Sequence, residues 1–321
     1  MSADPHPLTP AVLAGDRRAM ARAITLVESE GAAAAAIVKG VYHRSGRAYL
    51  IGVTGSPGVG KSTLVDRVTA AYRAGERTVG VLAVDPTSPF TGGAILGDRV
   101  RMQRHAGDAG VFVRSMATRG QLGGLARATG DAAVILDAAG FDVVIIETVG
   151  VGQAEVEVAR AADMSIVVTM PGAGDGVQAL KAGVMEIGDL FVVNKADRSG
   201  ADRAVAEIET MLGLNDYGPD DWRPPVLSTR ATDGSGVDAL LDTVARFRAR
   251  DVELTVGRRR ARVQATIRRL VADRLFQDAE RHGLESGDFA RLVDRVVNAE
   301  LDPYSAAEQA LAWGATEGVR E

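Results

Sequence analysis

The chain has 321 residues, of which 46% are hydrophobic, 25% charged and only 4% aromatic. That length holds one large domain with helical extensions or two small domains, built on an aliphatic core. With no cysteine the chain excludes disulfides, thiolate metal sites and cysteine nucleophiles, and its formal net charge of −5 argues against a nucleic-acid partner.

Taken in chain order, the first ten residues carry acid and prolines instead of a basic stretch followed by an apolar one, so no signal peptide is expected. No apolar run is long enough to span a bilayer, and the expected setting is the cytoplasm, away from membranes. Residues 9–42 read as helix, dense in alanine and interrupted at Gly31. From Ala48 the pattern changes to short β-branched runs at 49–54, 78–84, 111–113, 142–146, 165–169, 190–193 and 225–227. Helical stretches at 61–73, 98–105, 122–139, 178–186, 202–212 and 237–248 lie between them. Strands apolar at nearly every position are buried on both faces, which predicts a mostly parallel sheet between helices, the doubly wound α/β class. Ligands of that class bind at the carboxyl ends of the strands. After Arg248 the strand signals stop. Residues 258–321 read as helix, with an apolar stripe of Val263, Ile267, Leu270, Val271 and Leu275. The expected organisation is an N-terminal helical segment (1–46), an α/β nucleotide-binding domain (47–248) and a C-terminal helical arm (249–321).

Gly55-Ser56-Pro57-Gly58-Val59-Gly60-Lys61-Ser62 matches G-x-x-x-x-G-K-[ST] between a predicted strand and a predicted helix. Its glycines let backbone N–H groups turn inward onto phosphate oxygens, and the following helix presents its positive end. Lys61 is expected to reach the β- and γ-phosphates, Ser62 to coordinate Mg²⁺, and Thr63 to sit at the α-phosphate.

Asn194-Lys195-Ala196-Asp197 follows the strand at 190–193 and has the N-K-x-D form of a guanine reader. Asp197 can accept hydrogen bonds from guanine N1–H and the exocyclic amine, whereas adenine would leave the carboxylate unpaired at a cost of about 1–3 kcal/mol. Lys195 would lie along the base, and Asn194 would tie this turn to the phosphate loop. Together the two motifs favour GTP over ATP. A second base-side loop is expected at Ser228-Thr229-Arg230-Ala231-Thr232, where Ala231 fits and Arg230 stands in the usual place of a serine.

Glu147-Thr148-Val149-Gly150 closes the strand at 142–146, as an acid holding the Mg²⁺ shell followed by a glycine whose N–H meets the γ-phosphate. Val151 occupies the position where a Ras-like catalytic glutamine would stand, so slow intrinsic hydrolysis is expected. Asp85 and Asp98 are further acids near the expected γ-phosphate and Mg²⁺, with a helix-cap or turn aspartate as the alternative reading of each. Arg99, Arg101, Arg114 and Arg119 are candidate arginine fingers, with solvated surface arginines as the plainer reading of each.

These motifs, with Thr91-Gly92-Gly93-Ala94-Ile95-Leu96-Gly97-Asp98-Arg99 and Gln121-Leu122-Gly123-Gly124, resemble the MeaB/ArgK family of GTPases that accompany methylmalonyl-CoA mutase. The resemblance implies a P-loop G domain of the signal-recognition/MinD-like class that binds GTP and GDP with Mg²⁺. It further implies a homodimer formed through the C-terminal helices, and a chaperone that gates cofactor loading and protects an adenosylcobalamin-dependent acyl-CoA mutase. By the same resemblance Lys61, Asp85, Asp98 and Glu147 serve phosphate and metal chemistry, and residues 171–181 form a nucleotide-sensing loop, switch III. Two other readings are a metallochaperone GTPase and a transport-protein kinase. A metallochaperone GTPase would want Cys/His clusters that this chain lacks, and a transport-protein kinase would need a phosphate-accepting partner. The arginine-rich stretch 258–281 reads as a solvated basic helix face beside the apolar stripe.

Overall fold

A computed structural model describes residues 6–29, 31–85, 103–105, 107–117, 122–148, 161–172, 186–219, 221–250, 252–279 and 287–315. Seven strands form one sheet: β1 (Tyr49–Thr54), β2 (Val79–Asp85), β3 (Val111–Ala117), β4 (Val143–Thr148), β5 (Met164–Thr169), β6 (Leu190–Val193) and β7 (Val226–Ser228). Their order is β3-β2-β4-β1-β5-β6-β7, and every pairing is parallel. This is the doubly wound α/β architecture expected from the uninterrupted apolar runs. β1, β4 and β5 are buried at all positions, so both faces of the sheet centre are covered.

The helices are α1 (Thr9–Leu13), α2 (Arg17–Glu28), α3 (Ala32–Val41), α4 (Lys61–Ala74), α5 (Leu122–Ala138), α6 (Ala201–Leu212), α7 (Val237–Arg250), α8 (Val252–Ala279), α9 (Gly287–Val297) and α10 (Pro303–Ala315). The N-terminal helical stretch breaks twice, at Gly31 and also at Gly15, whose φ of 77° ends α1. Asp16 then caps α2 by accepting from Ala19 N–H at 2.7 Å. Met20, Ala23, Ile24, Val27, Ile37 and Val41 from α2 and α3 are buried in one cluster with Leu136 of α5, Leu82 of β2 and Ile146 of β4. The opposite face buries Leu64, Val65 and Val68 of α4 with Leu240, Val244 and Phe247 of α7 against Ile51, Ile145 and Ile166. Each fully buried side chain of this kind contributes about 1.5–3 kcal/mol of transfer free energy, so the phosphate-loop helix is held firmly.

β3 runs four residues beyond the apolar run at 111–113. The extension continues the parallel ladder with β2 as far as Asp85 opposite Ala117, and on it Arg114 Nη2 donates to Glu28 Oε2 at 2.9 Å and to Thr25 Oγ1 at 3.0 Å. Of the helix expected at 98–105, the described residues contain one 3₁₀ turn, Gln103–His105. The helix expected at 178–186 lies outside the described residues except for Glu186.

The chain divides into two compact units, residues 1–255 and 256–321. The first holds the whole sheet and the N-terminal helices. The second is helical. Among the described residues no helix is long and apolar enough to cross a membrane.

Candidate functional site: a phosphate loop joined to a base-reading turn

The sheet order places the carboxyl ends of β1, β4 and β5 side by side. The chain runs outward from β1 to β2 and β3, returns to β4 beside β1, then continues on the other side through β5, β6 and β7. The turn after β1 therefore stands where the winding direction changes, the usual position of a ligand crevice.

That turn is residues 55–60. Gly55, Gly58 and Gly60 have φ of 139°, 77° and 97°, all in the region that favours glycine. A Cβ at Gly55 would collide with the backbone oxygen of Val168 on β5, and one at Gly60 would collide with Asn194 Nδ2. The two glycines are thus fixed by close approach as well as by φ. Val59 is buried at the base of the loop, while Pro57 and Gly58 are exposed. Lys61, the first residue of α4, is buried and donates from Nζ to the carbonyls of Gly55 and, at 3.0 Å, Ser56. Its ammonium is held inside the loop, where a phosphate oxygen would compete for it.

Ser62 Oγ donates to Glu147 Oε1 at 2.6 Å, and both side chains are buried. Glu147 is the penultimate residue of β4, in register with Val53 of β1 and Ala83 of β2. A serine hydroxyl beside a carboxylate is a hard-oxygen pair suited to Mg²⁺. Asp85 closes β2, the next strand over. Asp98, Gly150, Val151 and most of 171–181 lie outside the described residues.

Asn194 is the joint of the site. It is 1% exposed, its Nδ2 donates to the Val59 carbonyl at 2.8 Å, and its Oδ1 accepts from Ala231 N–H and Thr229 Oγ1, both at 3.1 Å. One amide thus fastens the phosphate loop to the base-reading turn and the second base-side loop. The serine hydroxyl that Arg230 replaces is not the support used here. The buried Thr229 hydroxyl reaches Asn194, while Arg230 pairs with Asp233 at 2.5 Å. Lys195 adopts φ 58°, rare for a side-chain-bearing residue, and donates from Nζ to the Gly58 carbonyl at 2.6 Å. Gly60, Thr63, Asn194, Lys195, Asp197, Arg198, Arg230, Ala231 and Thr232 line a cavity of about 180 Å³. The exposed Asp197 thus lines one cavity with the predicted base-side residues Lys195, Ala231 and Thr232.

Three contributors carry no motif signal. Arg67 of α4 donates from Nε to the Ala231 carbonyl at 3.0 Å and from Nη2 to the Thr232 carbonyl. Arg198 lines the cavity. His105 Nε2 lies 3.1 Å from Asp66 Oδ1, both nearly buried, and so ties the 3₁₀ turn to α4. In sequence each is one polar residue among many on a helix or turn. Of the candidate arginine fingers, Arg114 is engaged with Glu28, and Arg99, Arg101 and Arg119 lie outside the described residues. Trp222 is a packing residue: its ring meets Phe247 edge-on at 4.9 Å and its Nε1 donates to the Asp189 carbonyl at 2.7 Å.

Comparison with known proteins agrees with this geometry. Residues 20–283 match the family described as methylmalonyl Co-A mutase-associated GTPase MeaB. The chain is 49% identical over 302 residues to a GTPase of Pyrococcus abyssi, covering 92% of this chain and 93% of that one. It is 33% identical over 320 residues to the mitochondrial methylmalonic aciduria type A homolog of Caenorhabditis elegans, covering 92% of this chain and 79% of that one. The crystal structure of a LAO/AO transport system kinase superposes with a TM-score of 0.71 at 27% identity, over 94% of this chain and 95% of that one. A G-x-x-x-x-G-K-S loop, an N-K-x-D turn hinged to it through Asn194, and a family match over most of the chain lead to one assignment: the chain belongs to the MeaB family of methylmalonyl-CoA mutase-associated GTPases.

Proposed function

We propose that this GTPase is a nucleotide-gated chaperone of an adenosylcobalamin-dependent acyl-CoA mutase of the methylmalonyl-CoA type, gating cofactor loading and protecting the enzyme. The observation that carries the reading is the Asn194 joint, which makes one rigid unit of the phosphate and base half-sites, in a family named for association with that mutase. The residues 55–63 cradle the phosphates of GTP or GDP. Lys61 holds the β- and γ-phosphates, Asp197 reads the guanine edge, Lys195 covers the base, and Ala231 and Thr232 back it. Ser62 and Glu147, with Asp85 and Asp98, hold Mg²⁺, which when bound neutralises developing charge on the transferred phosphoryl group. Gly150 would meet the γ-phosphate. The chain acts as a homodimer through its C-terminal helices.

Val151 stands where a water-orienting glutamine would be, so the isolated protein turns over GTP slowly, below about one per second. The decisive experiment is retention of purified methylmalonyl-CoA mutase on the immobilised protein, compared between GDP and a non-hydrolysable GTP analogue. Retention that differs between the two states is expected, and no retention in either state sinks the chaperone reading. The likeness to a LAO/AO transport system kinase keeps a second reading in view. Labelled GTP separates the two: free phosphate supports the GTPase alone, and a stable phosphoprotein supports the kinase.

A further inference from the structure

The second base-side loop, between β7 and α7, has little regular structure of its own. A single antiparallel bridge, Arg230 to Ser235, closes it. A loop that must present backbone and side-chain atoms to a base needs those atoms fixed before the base arrives, because ordering each residue at binding costs about 1–2 kcal/mol. The loop holds itself partly, through the N–H groups of Asp233 and Gly234 on the Arg230 carbonyl and through Ser235 on Asp233, and two side chains from other elements add to that order at residues 231 and 232. Asn194, on the base-reading turn, takes the N–H of Ala231. Arg67, on the phosphate-loop helix, takes the carbonyls of Ala231 and Thr232. The peptide groups on both sides of Ala231 are therefore pinned, and Ala231 and Thr232 are both walls of the cavity.

Arg67 suits this task. A guanidinium offers several donors in a planar fork, so one side chain can hold two successive carbonyls, which an ammonium does less well. Its place on α4 also matters. Thr63 and Arg67 are four residues apart and share one helix face, so Thr63 lines the cavity while Arg67 reaches the loop one turn further along. α4 begins at Lys61 and Ser62, and its apolar face is locked into the sheet core through Leu64, Val65 and Val68. A single rigid helix thereby carries phosphate and metal groups at its start and the clamp on the base wall two turns later.

The geometry points to Arg67 as a positioning residue for guanine. By holding the Ala231–Thr232 backbone it sets how tightly the base is held and how fast nucleotide leaves, without touching the nucleotide. This inference rests on the guanine-binding reading of the cavity. Arg67 lies outside the phosphate and base motifs and acts on the second base-side loop through its backbone carbonyls.

The test uses the full chain and GDP carrying a fluorescent group on its ribose. Arg67→Ala and Arg67→Met are expected to release it about tenfold faster, the loss of roughly one charge-assisted hydrogen bond. Arg67→Lys, which keeps a donor but not the fork, is expected between them and the parent protein. Magnesium pyrophosphate, competing for the phosphate loop alone, should bind all four proteins equally. The nucleotide-free proteins should melt within a few degrees of one another. Release at the parent rate from Arg67→Ala and Arg67→Met overturns the inference. So does an equal loss of GDP and pyrophosphate affinity accompanied by a lower melting temperature, because that marks general loosening of α4. If alanine and methionine do not fold, Arg67→Lys alone decides: a GDP release rate unchanged from the parent overturns the clamp. Failure of the parent protein itself to bind GDP overturns the guanine reading, and this inference falls with it.

Discussion

At the scale of single residues, the site depends on a few groups whose chemistry cannot be exchanged. Gly60 must be glycine twice over, for its φ of 97° and for the space Asn194 Nδ2 occupies above it. Asn194 must offer both a donor and an acceptor, since it gives to Val59 and takes from Thr229 and Ala231. An aspartate there would lose the donor, and an alanine would unfasten three segments together. In the proposed reading Asp197 meets guanine by acceptance alone. Asp197→Asn presents a donor to guanine N1–H, and GDP affinity is expected to fall roughly 10- to 100-fold, equivalent to about 1.4–2.7 kcal/mol. Xanthine nucleotides, which offer a carbonyl at that edge, should bind the variant better than the parent. Titration of both nucleotides against both proteins checks this, and unchanged GDP affinity would sink the base assignment.

At the scale of elements, α4 is the organising piece. Its start carries Lys61 and Ser62, its second turn meets His105 through Asp66 and the base loop through Arg67, and its last turn meets Asp108 through Arg73. The last of these is pH-dependent. The Arg73 guanidinium donates to both Asp108 carboxylate oxygens, at 2.8 and 3.0 Å, and with the Gly110 N–H holds that carboxyl below its ordinary value of 3.8. Lowering a carboxyl in the folded state stabilises the fold above the unfolded value and loses that contribution as pH falls through the folded one. Asp108→Asn is therefore expected to melt earlier than the parent at neutral pH, with the gap closing as pH drops below 3.8. Melting curves taken across the acid range test it, and a gap constant with pH would contradict the assignment. At the other side of the sheet, β3 and α2 are joined by Arg114 and Glu28, which occupies one arginine that could otherwise have been read as a catalytic finger.

At the scale of the whole molecule, the helical unit of residues 256–321 carries apolar side chains that its own residues leave uncovered. On α8, Ile267, Leu270, Val271 and Leu275 are 56%, 41%, 53% and 57% exposed. They recur at helical spacing, and an exposed contiguous apolar stripe marks an association surface. If this is the homodimer surface, the full chain runs as a dimer in light scattering. Ile267→Asp combined with Leu270→Asp should then give a monomer whose GDP affinity is unchanged, because these residues lie far along the chain from the nucleotide motifs. A dimer that survives the double substitution would move the interface elsewhere.

Much of this is legible in the sequence. The strands could be read because a parallel sheet covered on both faces forces nearly continuous apolar runs, and β1, β5 and β6 fall at or within a residue of those runs. The phosphate loop and the base-reading turn could be read because each needs particular residue types at fixed spacing within one short segment. What stayed hidden is of another kind. The reach of Arg67 to carbonyls more than 160 residues away leaves no local pattern, since a carbonyl belongs to every residue and an arginine on a helix usually faces water. The same holds for His105 with Asp66, and for Thr229 taking the supporting role where a serine at 230 was looked for. The length of β3 was likewise decided by its pairing with β2, whereas the break at Gly15 is local, set by a φ of 77° and the Asp16 cap that follows. Local chemistry therefore fixed which nucleotide atoms each motif can meet. Long-range contact, brought about when the sheet order β1-β5-β6-β7 sets the turns after β1, β6 and β7 within reach of one another, decided how those motifs are joined.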